Sequence, residues 1–395
     1  MNFVFVSPNF PASYWLFCAR LKANGVNVLG IGDSPYEQLT QNLRDSLTEY
    51  YRVGSLENYD EMVRALGYFT FKYGKIDGLE SNNEYWLEKD AALRTDFNIP
   101  GLKTADMAPY KRKSAMKAFF EKAGIPCARY HMVSTLEAAR SFVREVGYPV
   151  VVKPDNGVGA NNTWKLRNDD EMAFFFDHLP ETPYIMEEYI DGIVTTFDGV
   201  CDSRGNILFA ASHITADCIM DIVNESRSLY YYVDRDIPQD VRDAGTRCIQ
   251  SFGVRSRCFH IEFFRLRTGK PGLGNPGDIV ALEVNMRPAG GFTPDMINYA
   301  SSVDMYKIWA DMVAFDRTSV NMDTPHQYCC YVSRRDKDRY RYSNEDVLRV
   351  YGDRIKISGR MADALSGAMG NSMFIGCFQQ QQEMEDFVRF IQELA

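Results

Sequence analysis

A strand-like run in the middle of the chain ends with a lysine at the edge of a glycine-containing segment. Residues 150–153 read Val-Val-Val-Lys, and residues 155–160 follow as Asp-Asn-Gly-Val-Gly-Ala. Consecutive backbone N–H groups in such a loop can bind an anion, and a neighbouring ammonium adds a point charge for phosphate oxygens. The pattern predicts a phosphate-binding loop that contains Gly157 and Gly159, with Lys153 beside it.

Two apolar segments further along the chain carry hard oxygen ligands. Glu283, Asn285 and Arg287 alternate with apolar residues, so on a strand their side chains point to one side. Glu262 would add a second carboxylate from a neighbouring strand. Mg²⁺ (or Mn²⁺) prefers such oxygens and keeps places for water and phosphate. Glu262, Glu283 and Asn285 are therefore candidate metal ligands, and Arg287 would neutralise a phosphoryl group in transfer.

The elements that must position these residues follow from hydrophobic periodicity. Residues 2–7 and 26–31 read as strands, and residues 13–24 between them have helical spacing. This βαβ unit predicts a parallel sheet with helices on its faces. Similar alternation continues to about residue 100, which indicates a small Rossmann-like module.

The rest of the chain predicts two mixed α+β lobes. A helix at 111–123 ends with Gly-Ile-Pro, a helix stop signal, and strands and helices alternate after it. We expect a first module at 1–108, a second at 109–187 with a small lid at about 126–187, and a third at 188–395. The third would hold the metal ligands and a C-terminal extension.

Composition narrows the class of protein. A chain of 395 residues suggests two or three domains. The net charge of −9, without a basic stripe, argues against nucleic acid as a partner. No apolar stretch approaches the roughly 18 to 20 residues of a membrane span. Nine scattered cysteines without a Cys-x-x-Cys pair indicate reduced thiols, a cytoplasmic location and no zinc site.

The combination of these features resembles the ATP-grasp superfamily of ligases, over nearly the whole chain. The resemblance implies an ATP-grasp fold, α/β and α+β, behind an N-terminal Rossmann-like domain. It also makes Lys113, eleven residues before Gly124, the first ATP lysine and Lys153 the second. Lys111 is a neighbour that could be confused with Lys113. Lys117 and Lys122 are expected on a solvated helix face. The basic run 334–341 alternates in charge sign and is expected in solvent, with contact to a substrate anion as the alternative.

In that family a hinge between the lobes holds adenine, partly through backbone atoms. The segment 187–192 resembles this hinge, and the resemblance assigns nucleotide contact to Glu187, Glu188, Tyr189 and Ile190. The family usually has another glutamate just after the hinge glycine. This chain has Val194-Thr195 there, so its ribose contact departs from the pattern.

Residues near the acceptor substrate are less distinct. Pro288 to Gly291, which includes Gly290, and Asp304 resemble the family's acceptor region. Arg227 would meet the γ-phosphate or a substrate carboxylate, or lie in solvent, and Glu84 is a candidate substrate contact. His260 shares the face of Glu262 and is expected to be a buried, hydrogen-bonded residue rather than a catalyst.

The resemblance implies an ADP-forming carboxylate–amine ligase that uses ATP and magnesium. It would activate a small carboxylate as an acylphosphate for attack by an amine, with amino acids among the candidate substrates. Two alternatives stay open: an ATP-grasp enzyme that uses bicarbonate, formate or a nucleotide-pathway amine, and a nucleotide-binding regulatory protein with weak catalysis. The oligomeric state is also open, with a homodimer among the alternatives. No P-loop sequence occurs, which argues against that class of nucleotide enzyme.

Overall fold

Parallel strands form the first sheet in the computed structural model, which describes residues 1–157, 162–215, 227–361 and 363–395. The sheet order is β3-β2-β1-β4, and all its pairs are parallel. The strands are β1 Asn2–Val6, β2 Asn27–Gly32, β3 Glu49–Arg52 and β4 Gly78–Glu80. The helices are α1 Trp15–Ala23, α2 Gln41–Ser46, α3 Tyr59–Tyr73 and α4 Leu87–Asp96. The predicted βαβ unit is confirmed.

A second, antiparallel sheet has the order β5-β8-β6-β7. Its strands are β5 Tyr130–Met132, β6 Val150–Pro154, β7 Trp164–Leu166 and β8 Tyr184–Glu188. Helices α7 Leu136–Val146 and α8 Asp169–Asp177 pack their apolar sides on it. Two short helices precede the sheet, α5 Ala108–Lys111 and α6 Lys113–Lys122. The sequence analysis expected one helix there. Arg112 is instead extended and forms a β-bridge with Asn156, which breaks the helix before Lys113.

The third sheet is antiparallel, and nine of its strands lie in the described ranges. Eight follow the order β14-β13-β9-β11-β12-β15-β17-β16, and β10 pairs with β9. The strands are β9 Gly192–Cys201, β10 Ile207–Ala211, β11 His213–Thr215, β12 Tyr230–Val233, β13 Arg257–Leu266, β14 Ile279–Asn285, β15 Tyr328–Arg334, β16 Ile355–Arg360 and β17 Ser372–Phe378. The helices are α9 Gln239–Phe252, α10 Thr293–Ser301, α11 Met305–Phe315, α12 Asn344–Tyr351, α13 Asp363–Met369 and α14 Gln381–Gln392. The module boundaries proposed at 108 and 187 stay predictions.

An aromatic cluster joins the first sheet to the third. The Trp309 ring of α11 lies edge-on to Phe3 of β1, with ring centroids 5.6 Å apart, and 5.0 Å from the ring of Phe17 on α1. Phe5 packs against the same indole at 6.1 Å. Trp309 is 1% exposed, so its burial stabilises the packing between the first sheet and the third.

Replacing Trp309 with alanine should lower the free energy of unfolding by about 3 to 5 kcal/mol, because a buried indole is lost and a cavity remains. Urea unfolding followed by circular dichroism measures this. Phe315→Ala on the same helix is the matched control, since Phe315 is 54% exposed. Equal effects of the two substitutions would contradict the assignment of Trp309 to the core between the sheets.

The structure bears on two expectations from the sequence: the absence of a membrane span and the reduced state of the cysteines. No helix in the described part of the chain is long and apolar enough to cross a membrane. The cysteines that the structure describes are all free thiols, and seven of the eight are buried. Burial raises the pKa of thiols such as Cys201, to about 12, so these sulfurs are protonated near neutral pH.

Candidate functional site

Lys153 of β6 lies near carboxylates of β8 in the second sheet and of β13 and β14 in the third, and the region between these strands is called the cleft below. Val150 and Val152 of the same strand are fully buried on the other face, which follows from the two-residue period of a strand. The Lys153 ammonium lies 2.6 Å from a carboxylate oxygen of Glu187 on β8. Burial acts to lower the pKa of Lys153, but Glu187, Glu283 and Glu262 outweigh it and raise the pKa. Lys153 is therefore charged and lies in the field of the third sheet's carboxylates.

The break at Arg112 turns two neighbouring lysines in different directions. The Lys113 ammonium lies 3.5 Å from a carboxylate oxygen of Glu283 and 3.4 Å from the carbonyl oxygen of Gly157. The Lys111 ammonium instead lies 2.7 Å from a carboxylate oxygen of Glu84. Lys113 is thus the lysine that reaches both the loop after β6 and Glu283, a candidate metal ligand on β14.

The start of α6 is anchored to the loop after β6. The backbone N–H of Lys113 donates to the carbonyl of Asp155, and the Ser114 N–H donates to the Asp155 carboxylate at 2.8 Å. Asp155 is buried, so these bonds are shielded from water. These hydrogen bonds therefore hold the start of α6, which carries Lys113, against the loop that follows Lys153. Gly159 lies outside the described residues.

The candidate metal ligands lie side by side on β13 and β14. Glu262 is opposite Glu283, and His260 is opposite Asn285. The carboxylate side chains are 22% and 25% exposed, so their oxygens can be reached from the cleft. Burial acts to raise the pKa of Glu262, but the charges of His260 and Arg287 lower it, which keeps this carboxylate ionised. Two carboxylates and one amide oxygen fit magnesium or manganese.

Arg287 lies two residues beyond the end of β14 and contacts Glu84, which follows the first sheet. Its guanidinium lies 3.4 Å from the amide oxygen of Asn285 and 3.4 Å from a carboxylate oxygen of Glu84. It also donates to the carbonyl of Pro288 at 2.8 Å. Arg287 and Glu84, which the sequence analysis placed separately in catalysis and substrate contact, are thus neighbours.

A buried hydrogen-bond network lies behind Glu262. One ring nitrogen of His260 is 2.8 Å from the Glu262 carboxylate, and the other is 2.6 Å from Asp198. A ring nitrogen of His213 lies 2.7 Å from the second oxygen of Asp198. Burial acts to lower the pKa of His260, but Asp198 and Glu262 raise it to about 9. The network fixes the orientation of Glu262, and His260 is buried and hydrogen-bonded, as the sequence analysis expects.

The same three residues are spaced closely enough to suggest a metal site of their own. Ligand atoms of Asp198, His213 and His260 all lie within 4.8 Å of one another. The nitrogen–oxygen distances of 2.6 and 2.7 Å are those of charge-assisted hydrogen bonds. Two ligands at about 2.0 to 2.2 Å from a tetrahedral zinc lie more than about 3 Å apart. Hydrogen bonding therefore accounts for this cluster without an ion.

The hinge segment uses its carboxylates for structure. Glu188 is 2% exposed and accepts from the backbone N–H of Arg129 and from its guanidinium at 2.8 Å. Lys270 lies 3.1 Å from the same carboxylate and donates to the Tyr189 carbonyl at 2.6 Å. Ile190 packs in an apolar cluster with Leu266 and others. The Glu188 N–H also donates to the Arg129 carbonyl, so adenine contact by Glu188 stays a prediction.

Lys117 is a site residue that the sequence analysis missed. It was expected in solvent, yet it is 6% exposed and its ammonium contacts the Glu187 carboxylate. Lys122, on the same helix, is exposed as expected. Lys117 follows Lys113 by four residues, which places both on one face of a helix. This four-residue spacing is the feature of the sequence from which a place for Lys117 beside Lys113 could have been predicted.

The expectation of a solvated basic run is wrong for its first two residues. Arg334 and Arg335 are 5% and 6% exposed. Arg335 donates to the backbone carbonyls of Ser366 and Gly367, and its Nε donates to the carbonyl of Arg227 at 2.8 Å. The reason is that β15 continues to Arg334, so the run begins inside the sheet.

The remaining candidate residues fall into two groups. Gly291 has a positive φ of 63°, and a Cβ there would lie 3.1 Å from the Met369 methyl and 3.6 Å from the Tyr231 hydroxyl. Gly290, beside it, has open space around its Cα. Asp304 instead caps α11 and lies 2.6 Å from the Arg20 guanidinium, which gives it a structural role.

Comparison with known proteins agrees with this geometry. The family model of the phosphoribosylglycinamide synthetase ATP-grasp (A) domain matches residues 111–213, a range that includes Lys113, Lys153 and the segment 187–192. The crystal structure of an L-amino acid ligase from Bacillus licheniformis superposes over 100% of this chain and 97% of its own, with a TM-score of 0.71 at 14% identity. The chain has the ATP-grasp fold, and its residues 111–213 match the model of an ATP-grasp domain.

Sequence relatives of this ATP-grasp protein include two amino acid ligases of Bacillus subtilis. The L-arginine-specific L-amino acid ligase is 23% identical over 296 residues, which cover 72% of this chain and 68% of the ligase. The alanine–anticapsin ligase is 23% identical over 310 residues, which cover 70% of this chain and 61% of the ligase. The N5-carboxyaminoimidazole synthetase of Staphylococcus aureus has the same fold, with a TM-score of 0.71 at 14% identity over 98% of this chain and 96% of its own.

Proposed function

We propose that this ATP-grasp protein is an ADP-forming ligase that joins a small carboxylate to an amine. The observation that carries the proposal is the position of Lys113, which lies between the carbonyl of Gly157 and the carboxylate of Glu283. A phosphate loop and a metal-ligand strand thus approach the same ammonium. Lys153 supplies a second positive charge in the same cleft. Such a cleft suits a triphosphate and a divalent cation.

The chemistry requires positioned charge rather than a nucleophilic side chain. The γ-phosphoryl group of ATP passes to a carboxylate oxygen of the substrate, ADP leaves, and an amine then displaces phosphate to form an amide. Lys113 and Lys153 would hold phosphate oxygens, and Arg287 would stabilise the charge on the phosphoryl group. Glu262, Glu283 and Asn285 would hold magnesium, which would supply positive charge to offset that of the phosphates.

Amino acids are the proposed substrate class, on the strength of the sequence relatives. Two of them are named as ligases of amino acids, and the matches span most of this chain. A free amino acid carries both a carboxylate to activate and an amine to attack. We therefore propose that one or both substrates are amino acids or similar small molecules.

An assay for ADP-forming activation tests the proposal. Purified protein with ATP, magnesium and single amino acids should release phosphate for the true carboxylate, and hydroxylamine should trap that acyl group as a hydroxamate. Screening amino acids by thermal shift with ADP and magnesium narrows the panel, because ligand binding raises apparent stability by mass action. Phosphate release that requires no carboxylate, or a product containing AMP, would contradict the proposal.

A bicarbonate-dependent reaction is the second candidate. The fold match to N5-carboxyaminoimidazole synthetase has the same TM-score as the match to the amino acid ligase. Stimulation of ATP hydrolysis by bicarbonate, with no stimulation by any amino acid, would favour this alternative over amino acid ligation.

A further inference from the structure

One buried carboxylate in the cleft is shared between two lysines. Glu187 is 5% exposed; one of its oxygens lies 2.6 Å from the Lys153 ammonium, and the other contacts the Lys117 ammonium. The side chains of these lysines are 12% and 7% exposed. The lysines come from different elements: Lys153 is the next-to-last residue of β6, and Lys117 lies in the middle of α6.

Two negatively charged groups would compete for the Lys153 ammonium: the Glu187 carboxylate and the phosphates of the proposed nucleotide. A buried carboxylate that loses its counter-ion is left uncompensated, which is strongly unfavourable. The proposed function requires the Lys153 ammonium to face phosphate oxygens instead. With Lys153 as its single counter-ion, Glu187 would compete with the nucleotide for this ammonium. The competition weakens when a second cation remains on Glu187.

Lys117 can provide that cation without leaving its place. Its ammonium contacts the Glu187 oxygen that Lys153 does not contact, and it lies 6.0 Å from the centroid of the Tyr130 ring. It follows Lys113 by one helical turn, so the helix that delivers the first phosphate-facing lysine also delivers this one.

We propose that Lys117 is the resident counter-ion of Glu187, which releases Lys153 to bind the phosphates of the nucleotide. Lys117 is thus a positioning residue that acts through Glu187 and does not touch the phosphates. The inference rests on the proposed nucleotide site. It predicts that replacing Lys117 reduces the affinity that the phosphates add to ADP binding and leaves the affinity for adenosine in place.

The test compares ADP with adenosine in four proteins: wild type, Lys117→Met, Glu187→Gln and the double variant. Isothermal titration gives the ratio of the dissociation constant of adenosine to that of ADP, which measures what the phosphates add. In Lys117→Met the ratio should fall at least about tenfold, or about 1.4 kcal/mol, because Lys153 stays on Glu187. In the double variant the ratio should return toward that of wild type, since the glutamine carries no charge to hold Lys153.

Two further variants separate this role from a general structural effect. Lys122→Met, on the exposed side of the same helix, should leave the ratio unchanged, and Lys117→Arg should preserve most of it because the charge remains. An unchanged ratio in Lys117→Met, with adenosine and ADP weakened equally, would overturn the inference and make Lys117 a base contact or a packing residue. A double variant that does not recover would also overturn it. Wild-type protein that binds no ADP would refute the nucleotide site itself, which is a different failure.

Discussion

Glu283→Ala should reduce carboxylate-dependent phosphate release by at least about 100-fold, because a directly bound metal ligand is lost. Glu283 is one of two carboxylates that face each other across β13 and β14, and it lies 3.5 Å from the Lys113 ammonium. Its loss should raise the magnesium concentration needed for half-maximal activity. Steady-state assays over a magnesium titration measure both effects.

Glu181→Ala is the control for this substitution, because Glu181 is exposed and lies before β8, away from the metal strands. It should leave both the rate and the magnesium requirement unchanged. A thermal melt of each variant checks that the fold is intact. Glu283→Ala protein with normal activity at low magnesium would show that the metal ligands have been assigned to the wrong strand.

Lys153→Met should weaken ADP binding by about 10- to 100-fold, since a charge-assisted contact to phosphate is lost from a shielded site. The thermal stability of this variant should fall less than it does when a buried ion pair is lost completely, because Lys117 still contacts Glu187. Titration calorimetry and thermal unfolding give the two values for the same protein.

Lys356→Met on β16 provides the comparison, because Lys356 is exposed on a strand at the edge of the third sheet. Its substitution removes the same charge from the chain without approaching the cleft. ADP affinity that is equal in the two variants would mean that Lys153 does not contact the phosphates.

The sequence predicted most of the architecture but not the interruption of the helix at Arg112. The alternation of strands and helices in residues 2–96 has a clear period, and the parallel sheet follows from it. Pro109, three residues before Arg112, lies in the first turn of α5, where proline is compatible with a helix, so it does not account for the break at Arg112. The break depends on pairing with Asn156, 44 positions away, which no local pattern reveals. The strands after residue 328 were not predicted either.

The candidate site also combines features that the sequence predicts with features that it does not. The sequence placed Glu262 on a strand next to that of Glu283, and these strands are paired neighbours, but the register that sets the two carboxylates opposite each other comes from the structure. The resemblance selected Lys113 over its neighbour Lys111, but the different partners of the two lysines depend on the break between the two helices, which the local sequence does not reveal. Asp198 lies 62 positions from His260 and meets it only through the pairing of β9 with β13. Contacts of that kind belong to sheet order, which is a property of the whole chain.

The most direct test of the central claim is the coupling between a divalent cation and ADP. The claim is that Lys113, Lys153 and the carboxylates of β13 and β14 surround one nucleotide–metal complex. Calorimetric titration of ADP with and without Mg²⁺ should show tighter binding with the cation, and Glu283→Ala should abolish that gain while metal-free ADP binds no more weakly than to wild type. ADP affinity that is independent of the cation, or a gain that survives Glu283→Ala, would contradict the account.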